Sequence, residues 1–368
     1  MHKLRASFIT ALAATEFLRR RGLPAVMIAA VTALAASVPA HASSPEFEMW
    51  LNIRSGSGSW LGWQALGDNS WVPGNIQTMF AVNDGFNDTL HVDNYSADGS
   101  LWDNVRYSDG NWQGWQQAPS APSGTVMMRA AGLPDGDIAY LAANSNGWMY
   151  ESTRSSSGPW SGWSAEFEIP ELGDFAATAD ANGNVQVILS AAGGVVYHNM
   201  QFTDGAWQGL QQPSSVPGGG AEDVAAAGMP DGSVQFLAFN GGQLYHNIRR
   251  DNGTWQGWQE PTQPPAGWIS TTGGGAANWS LGQLWGAADE NGNTQWIVST
   301  TEDGLYYGPT RLYHTVRYAN GTWQNSGWGQ LASPPDRGGC GDTSITIPTY
   351  TSGNDYLSSY VLAECAIS

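Results

Sequence analysis

The chain has 368 residues, 41% hydrophobic and 11% aromatic, and a formal charge of −18. An acidic surface of this kind repels phosphate backbones and anionic lipid, which argues against nucleic acid and membrane as partners. Acidity also suits disorder, but 19 Trp and 13 Tyr supply enough apolar surface for a large buried core.

Residues 1–42 read as an export segment outside the fold. Lys3, Arg5 and Arg19-Arg20-Arg21 give a basic start, Ala25 to Val38 an apolar run, and Ala40-His41-Ala42 a small-x-small cleavage site. The run is too short to span a bilayer, and the consecutive arginines admit twin-arginine export. The predicted mature domain, 43–368, is expected to be secreted. It holds nine Arg, no Lys and 31 Asp and Glu, a formal charge of −22. Its two cysteines, Cys340 and Cys365, predict one disulfide near the C-terminus. Two sulfurs without nearby histidines do not complete a zinc shell, and neither metal nor cofactor is expected.

The mature chain is organised by a phrase that recurs six times: an aromatic-centred strand, a Gly turn, then Trp-x-Gly-Trp. The copies end at Trp60-Leu61-Gly62-Trp63, Trp112-Gln113-Gly114-Trp115, Trp160-Ser161-Gly162-Trp163, Trp207-Gln208-Gly209-Leu210, Trp255-Gln256-Gly257-Trp258 and, with an insertion, Trp323 to Trp328. The steps between their last residues are 52, 48, 47, 48 and 70, and a period of this size signals a repeat architecture. In the third unit, Val126–Ala131, Ile138–Ala143, Trp148–Arg154 and the segment from Trp160 read as four strands. They are parted by Pro134-Asp135-Gly136, Asn146-Gly147 and Ser157-Gly158, which is hairpin-turn chemistry. No segment beyond the export signal has a helical period, so the domain is expected to be all β.

Four antiparallel strands per unit of about 40–50 residues is the pattern of a β-propeller blade. The two ends complement one another. Phe47–Arg54 and the run to Trp63 supply the last two strands of a blade, and Ser344–Thr349 with Tyr356–Glu364 supply the first two. This predicts a six-bladed β-propeller whose N- and C-terminal halves complete one blade and leave no open sheet edge at the closure. The 70-residue step reads as one blade with long loops, around Pro261–Pro265, Gly273-Gly274-Gly275 and Tyr307-Gly308-Pro309.

Third strands alternate. One side carries Tyr245, Asn247 and Arg249, a column repeated as Trp50-Asn52-Arg54, Trp102-Asn104-Arg106, Tyr150-Ser152-Arg154, Tyr197-Asn199-Gln201 and Tyr313-Thr315-Arg317. It reads as architecture, with an aromatic stacked on Arg across the seam between blades. The opposite slot holds Leu51, Asp103, Glu151, His198, His246 and His314. Three histidines on separate blades cannot easily share an ion, so each reads first as a hydrogen-bonded core residue. The alternative is that Asp103, Glu151, His198, His246 and His314 line separate pockets.

The first Trp of each motif reads as filler between sheets. The second is Trp in five copies and Leu210 in one, and it too can be filler. It can also be a platform for sugar, whose C–H faces pack on indole while polar groups at the edge take its hydroxyls.

Catalysis has less support. Asp109-Gly110-Asn111-Trp112 and Asp251-Asn252-Gly253-Thr254-Trp255 resemble the Asp-box turns of sialidases, but one residue short between Gly and Trp. No carboxylate pair stands apart from the hairpin turns, so hydrolysis has no acid/base nominee. Asp289-Glu290-Asn291-Gly292-Asn293 reads as a turn rather than a calcium loop.

The Tyr-His-Asn-x-Arg strand, the Gly turn and Trp-x-Gly-Trp at about 48-residue spacing together resemble the bacterial propeller lectins typified by the Photorhabdus lectin. The resemblance covers nearly the whole mature chain. It implies glycan partners, fucose or O-methylated sugars, held between blades, and it admits a homo-oligomer. It also implies pockets that involve Trp63, Trp115, Trp163, Trp258 and Trp328, with an impaired site at Leu210. That family is seven-bladed, so the alternative to six blades is a seventh hidden between Trp258 and Trp328, or else a six-bladed relative closer to the fungal fucose lectins. The expected function is a secreted, non-enzymatic lectin. A sialidase-like or other glycoside hydrolase and a protein-binding scaffold are its rivals.

Overall fold

The computed structural model describes residues 47–55, 58–66, 73, 76–84, 89–270, 279–302, 310–333, 340–346 and 359–366. The expected export segment, the Gly273-Gly274-Gly275 stretch and the Tyr307-Gly308-Pro309 insertion lie outside them, as does the link between the two C-terminal strands.

The described residues form six antiparallel sheets, numbered here from the one that joins the chain's two ends. In the first, β2 (Trp60–Ala65), β1 (Phe47–Arg54), β22 (Ser359–Ala366) and β21 (Cys340–Thr346) lie side by side in that order. β1 pairs with β22 without a slip, from Phe47 opposite Ala366 to Arg54 opposite Ser359. The second sheet is β3 (Ile76–Asn83), β4 (Leu90–Ser96), β5 (Leu101–Arg106) and β6 (Gln116–Ala118). The third is β7 (Thr125–Gly132), β8 (Ile138–Asn144), β9 (Trp148–Arg154) and β10 (Ser164–Glu168). β11 (Leu172–Ala179), β12 (Val185–Ala191) and β13 (Val196–Gln201) make the fourth, and β14 (Asp223–Gly228), β15 (Val234–Asn240) and β16 (Gln243–Arg249) the fifth. The sixth is β17 (Trp279–Ala288), β18 (Thr294–Glu302), β19 (Thr310–Arg317) and β20 (Gly329–Gln330).

The first strands of these sheets, β21, β3, β7, β11, β14 and β17, touch one another in a closed cycle. Sheets radiating from a closed inner ring make a β-propeller. Second strands are packed on both faces, which is why β4, β8 and β12 are buried at every position rather than alternately. The core is accordingly divided among the seams. Phe239, Leu244, Trp296 and Tyr313 pack between the fifth and sixth sheets, and Val187, Leu189, Leu141 and Met149 between the third and fourth.

One expectation needs correction. The Trp-x-Gly-Trp segment runs as a continuous fourth strand only in the first sheet, where it opens β2. In the second, third and sixth sheets the fourth strand starts after the motif, and the fourth and fifth sheets have three strands each. Their motif segments are tied on only by single bridges, Gln201 to Trp207 and His198 to Gln211, then Arg249 to Trp255 and His246 to Gln259. The motif glycine kinks the chain, with φ +93° at Gly257 and +84° at Gly114, but Gly62 has φ +88° inside β2, so the left-handed glycine alone does not end a strand. The third-strand asparagine fixes that kink, since Asn247 Oδ1 accepts from Gly257 N at 2.9 Å and Asn104 Oδ1 from Gly114 N at 3.0 Å.

Candidate functional site

His246 and Arg249 are three residues apart on β16, so they leave the strand on opposite sides. In a ring, the slot residue of one sheet therefore meets the arginine of the next, along with the first Trp of that next sheet. The Trp rings bear this out. His198 meets Trp255 edge-on at 5.3 Å, His246 meets Trp323 at 5.5 Å, and His314 meets Trp60 at 5.3 Å. Arg249 and Arg317 stack on no ring among the described residues, contrary to the sequence expectation. Their parity sends them to the slot residue of the preceding sheet, and each guanidinium lies beside a turn glycine, Gly253 or Gly321.

The three histidines are buried and hydrogen-bonded within their own sheets. Nε2 donates to Gln186 Oε1 at 2.8 Å from His198, to Gln235 Oε1 at 2.9 Å from His246, and to Gln295 Oε1 at 2.9 Å from His314. Burial, reinforced by Arg249, Arg317 and Arg54 respectively, lowers each imidazole to about 3, so all three are neutral.

Two seams are built differently. Between the second and third sheets the slot is Asp103, which accepts from His91 Nδ1 at 3.0 Å and faces Arg154 Nε at 3.3 Å. Asp93 sits directly across from it, where the other sheets place Leu141, Ile188, Leu237 or Ile297. Burial first, and then Asp103, pushes the Asp93 carboxyl well up, while the Tyr140 hydroxyl donates to it at 3.3 Å. This carboxyl pair lies in strand interiors, so the reading that found none outside the hairpin turns is corrected. Between the third and fourth sheets the slot is Glu151, raised to about 7 by burial and by Glu166, and Gln201 Nε2 donates to it at 2.6 Å.

The second-position tryptophans act as staples in this structure. Trp163 Nε1 donates to Pro119 O at 3.3 Å, Trp258 to Ser214 O at 2.8 Å, Trp328 to Thr262 O at 2.6 Å and Trp63 to Ala332 O at 2.8 Å. Each acceptor lies four residues beyond the matching motif position of the preceding sheet. Trp115 is half-buried against the seam between the first and second sheets. Leu210 has no N–H to give, and in its sheet Trp207 packs on Phe167 instead, 4.7 Å away, with Nε1 donating to Glu166.

One cleft on a seam lies between the fourth and fifth sheets and holds the motif residues. It encloses about 440 Å³ and is lined by His198, Gln208, Gln211, Gln212, Gln256, Arg249 and Trp255, with Pro213, Ser214, Gly253 and Gly257 completing it. Of the predicted residues, only His198 is among its walls. The sequence reading missed the glutamines and set Trp255 and Arg249 aside as architecture. The signal was there in the parity of the third strand, which opposes the slot of one sheet to the Arg and Trp of the next. The two Asp-box-like segments are turns, with Asp109 accepting from Asn111 N and Asp251 from Asn182 Nδ2. Asp289 likewise closes its turn on Asn293. Among the described residues no group of three His, Cys, Asp or Glu is placed to hold a metal ion.

No protein-family model matches this sequence, and no curated protein matches it. Solved structures similar to it include AofleA of Arthrobotrys oligospora, at 12% identity over 84% of this chain and 81% of that one, with a TM-score of 0.47. The BP39L lectin of Burkholderia pseudomallei is 14% identical over 73% of this chain and 89% of its own, with a TM-score of 0.49. The fucose-specific lectin of Aleuria aurantia is 13% identical over 79% and 86%, with a TM-score of 0.48.

Proposed function

We propose that this chain is a secreted, non-enzymatic carbohydrate-binding protein, a six-bladed propeller with its sugar sites in the seams. The observation that carries the reading is the cleft between the fourth and fifth sheets. An indole wall, a guanidinium and four glutamines line a space the size of a sugar ring or two, with no carboxylate among its walls to act as acid or base. Repetition of the Arg and Trp pair around the ring supports several sites, and several weak sites gain avidity on a surface that displays many copies of one glycan.

The sequence resemblance adds fucose and O-methylated sugars as first candidates, and a homo-oligomer as a way to multiply sites. The predicted leader, 1–42, supports export. Cys340 lies opposite Cys365 in the pairing of β21 with β22, and such cross-strand neighbours have the Cα spacing a disulfide needs. A glycan array tests the reading, alongside a panel of chromogenic glycosides. Retention of one glycan class without turnover is the expected result. Turnover abolished by a single carboxylate substitution would replace the lectin with a hydrolase, and retention of no glycan would remove it.

A further inference from the structure

Arg249 is 8% exposed and lines the cleft between the fourth and fifth sheets. Among the described residues no acceptor takes a hydrogen bond from its guanidinium and no carboxylate lies within ion-pair distance. Burial lowers its pKa, only partly offset by Asp180 and Asp251 at longer range. The stem of Arg249 is buried but its guanidinium is only half-buried, facing the cleft with solvent and no protein acceptor as its partners, so the charge is partly desolvated without compensation.

The other seams show what usually replaces it. Between the second and third sheets, Arg154 faces the Asp103 carboxylate at 3.3 Å. Between the third and fourth, the arginine position holds Gln201, which bonds Glu151 at 2.6 Å. In both cases the slot residue is an acid and the seam satisfies itself. Where the slot is His198 the imidazole is neutral and its Nε2 is committed to Gln186. The walls of that cleft carry one positive charge and no carboxylate, in a domain whose formal charge is otherwise strongly acidic.

We propose that this cleft binds the acidic substituent of a sugar, a carboxylate or a sulfate ester, on Arg249, with the sugar ring against Trp255 and its hydroxyls on the nearby glutamines. The planar guanidinium matches two oxygens of either group at once, and a charge-assisted pair is the contact the seam lacks. The same set recurs as His246, Arg317 and Trp323, and as His314, Arg54 and Trp60. Neither Arg317 nor Arg54 has a carboxylate within ion-pair distance among the described residues. Three acidic-sugar sites per chain follow. The domain's overall negative charge does not forbid this, since its field is screened within about 8 Å at physiological salt. The inference rests on the carbohydrate-binding reading and narrows it to one ligand class.

The test compares matched pairs of oligosaccharides on the purified protein: uronate-containing against carboxyl-reduced, and sulfated against desulfated. At least tenfold tighter binding of one acidic form, lost in the triple variant Arg54→Gln, Arg249→Gln, Arg317→Gln, is expected. Glutamine is already native at the equivalent position, Gln201, so the fold should tolerate it. Which pair responds separates carboxylate from sulfate. Equal binding of the acidic and neutral forms overturns the inference and leaves the lectin standing, whereas binding of neither form removes both. Sodium sulfate against sodium chloride at equal ionic strength gives a second readout. Wild type should gain more thermal stability from sulfate than the triple variant does, and an equal gain in both counts against the site.

Discussion

Glu151 and His198 occupy equivalent positions in adjacent sheets and titrate in opposite senses. Glu151 is raised to about 7, so its contribution to stability is complete below about 4.5 and is lost as pH rises through 7. The variant Glu151→Gln lacks that loss. At pH 8 it should be more stable than wild type by about 3 kcal/mol and equal to it near pH 4, in urea titrations at the two pH values. Equal stability at pH 8 would mean that Glu151 is ionised at little cost. His198 is held at about 3, below its ordinary 6.5. As pH falls from 6.5 towards 3, the unfolded chain takes up a proton that the folded one refuses. Each such histidine removes about 1.4 kcal/mol per pH unit over that window. The variant His198→Gln should show an acid limb of stability shallower by one proton, and an unchanged slope would contradict the neutral buried ring.

At the scale of elements, the inner strands decide how closely the sheets can meet. A Cβ on Gly228 would fall 1.7 Å from Ala179 O, and one on Gly132 1.8 Å from Asn83 O. Backbone therefore lies against backbone where β14 meets β11 and β7 meets β3. The variant Gly228→Ala should cost several kcal/mol in chemical denaturation, because main chain rather than a flexible side chain must give way. A loss under 1 kcal/mol would mean that the ring spreads easily. Strands such as Phe47–Arg54 and Trp148–Arg154 were legible to the residue, since alternation and Gly turns are local signals. The fourth strand was not. All six motif glycines are left-handed, yet only Trp60–Trp63 runs on as a strand, a difference that sequence periodicity does not register.

Over the whole molecule, closure of the ring was readable because the missing halves at the two ends are complementary in count. The site was only partly readable. The columns containing His198 and Arg249 were plain, but their meeting across a seam is a relation between different sheets. It emerges only once the ring fixes which neighbour follows which. The closing sheet gives a prediction of its own. If Cys340 and Cys365 are joined, Cys340→Ser should lower stability by about 2–4 kcal/mol, and reductant should do the same to wild type but not to the variant. Identical melting of the two without reductant would mean that the thiols are free.

The account stands on sugar occupying the seams, and calorimetric titration with a monovalent sugar retained on the array addresses that most directly. Wild type should bind at more than one site per chain, and Trp255→Ala, with its fold verified by circular dichroism, should bind at one site fewer. Saturation of Trp255→Ala at the wild-type stoichiometry and affinity would contradict it.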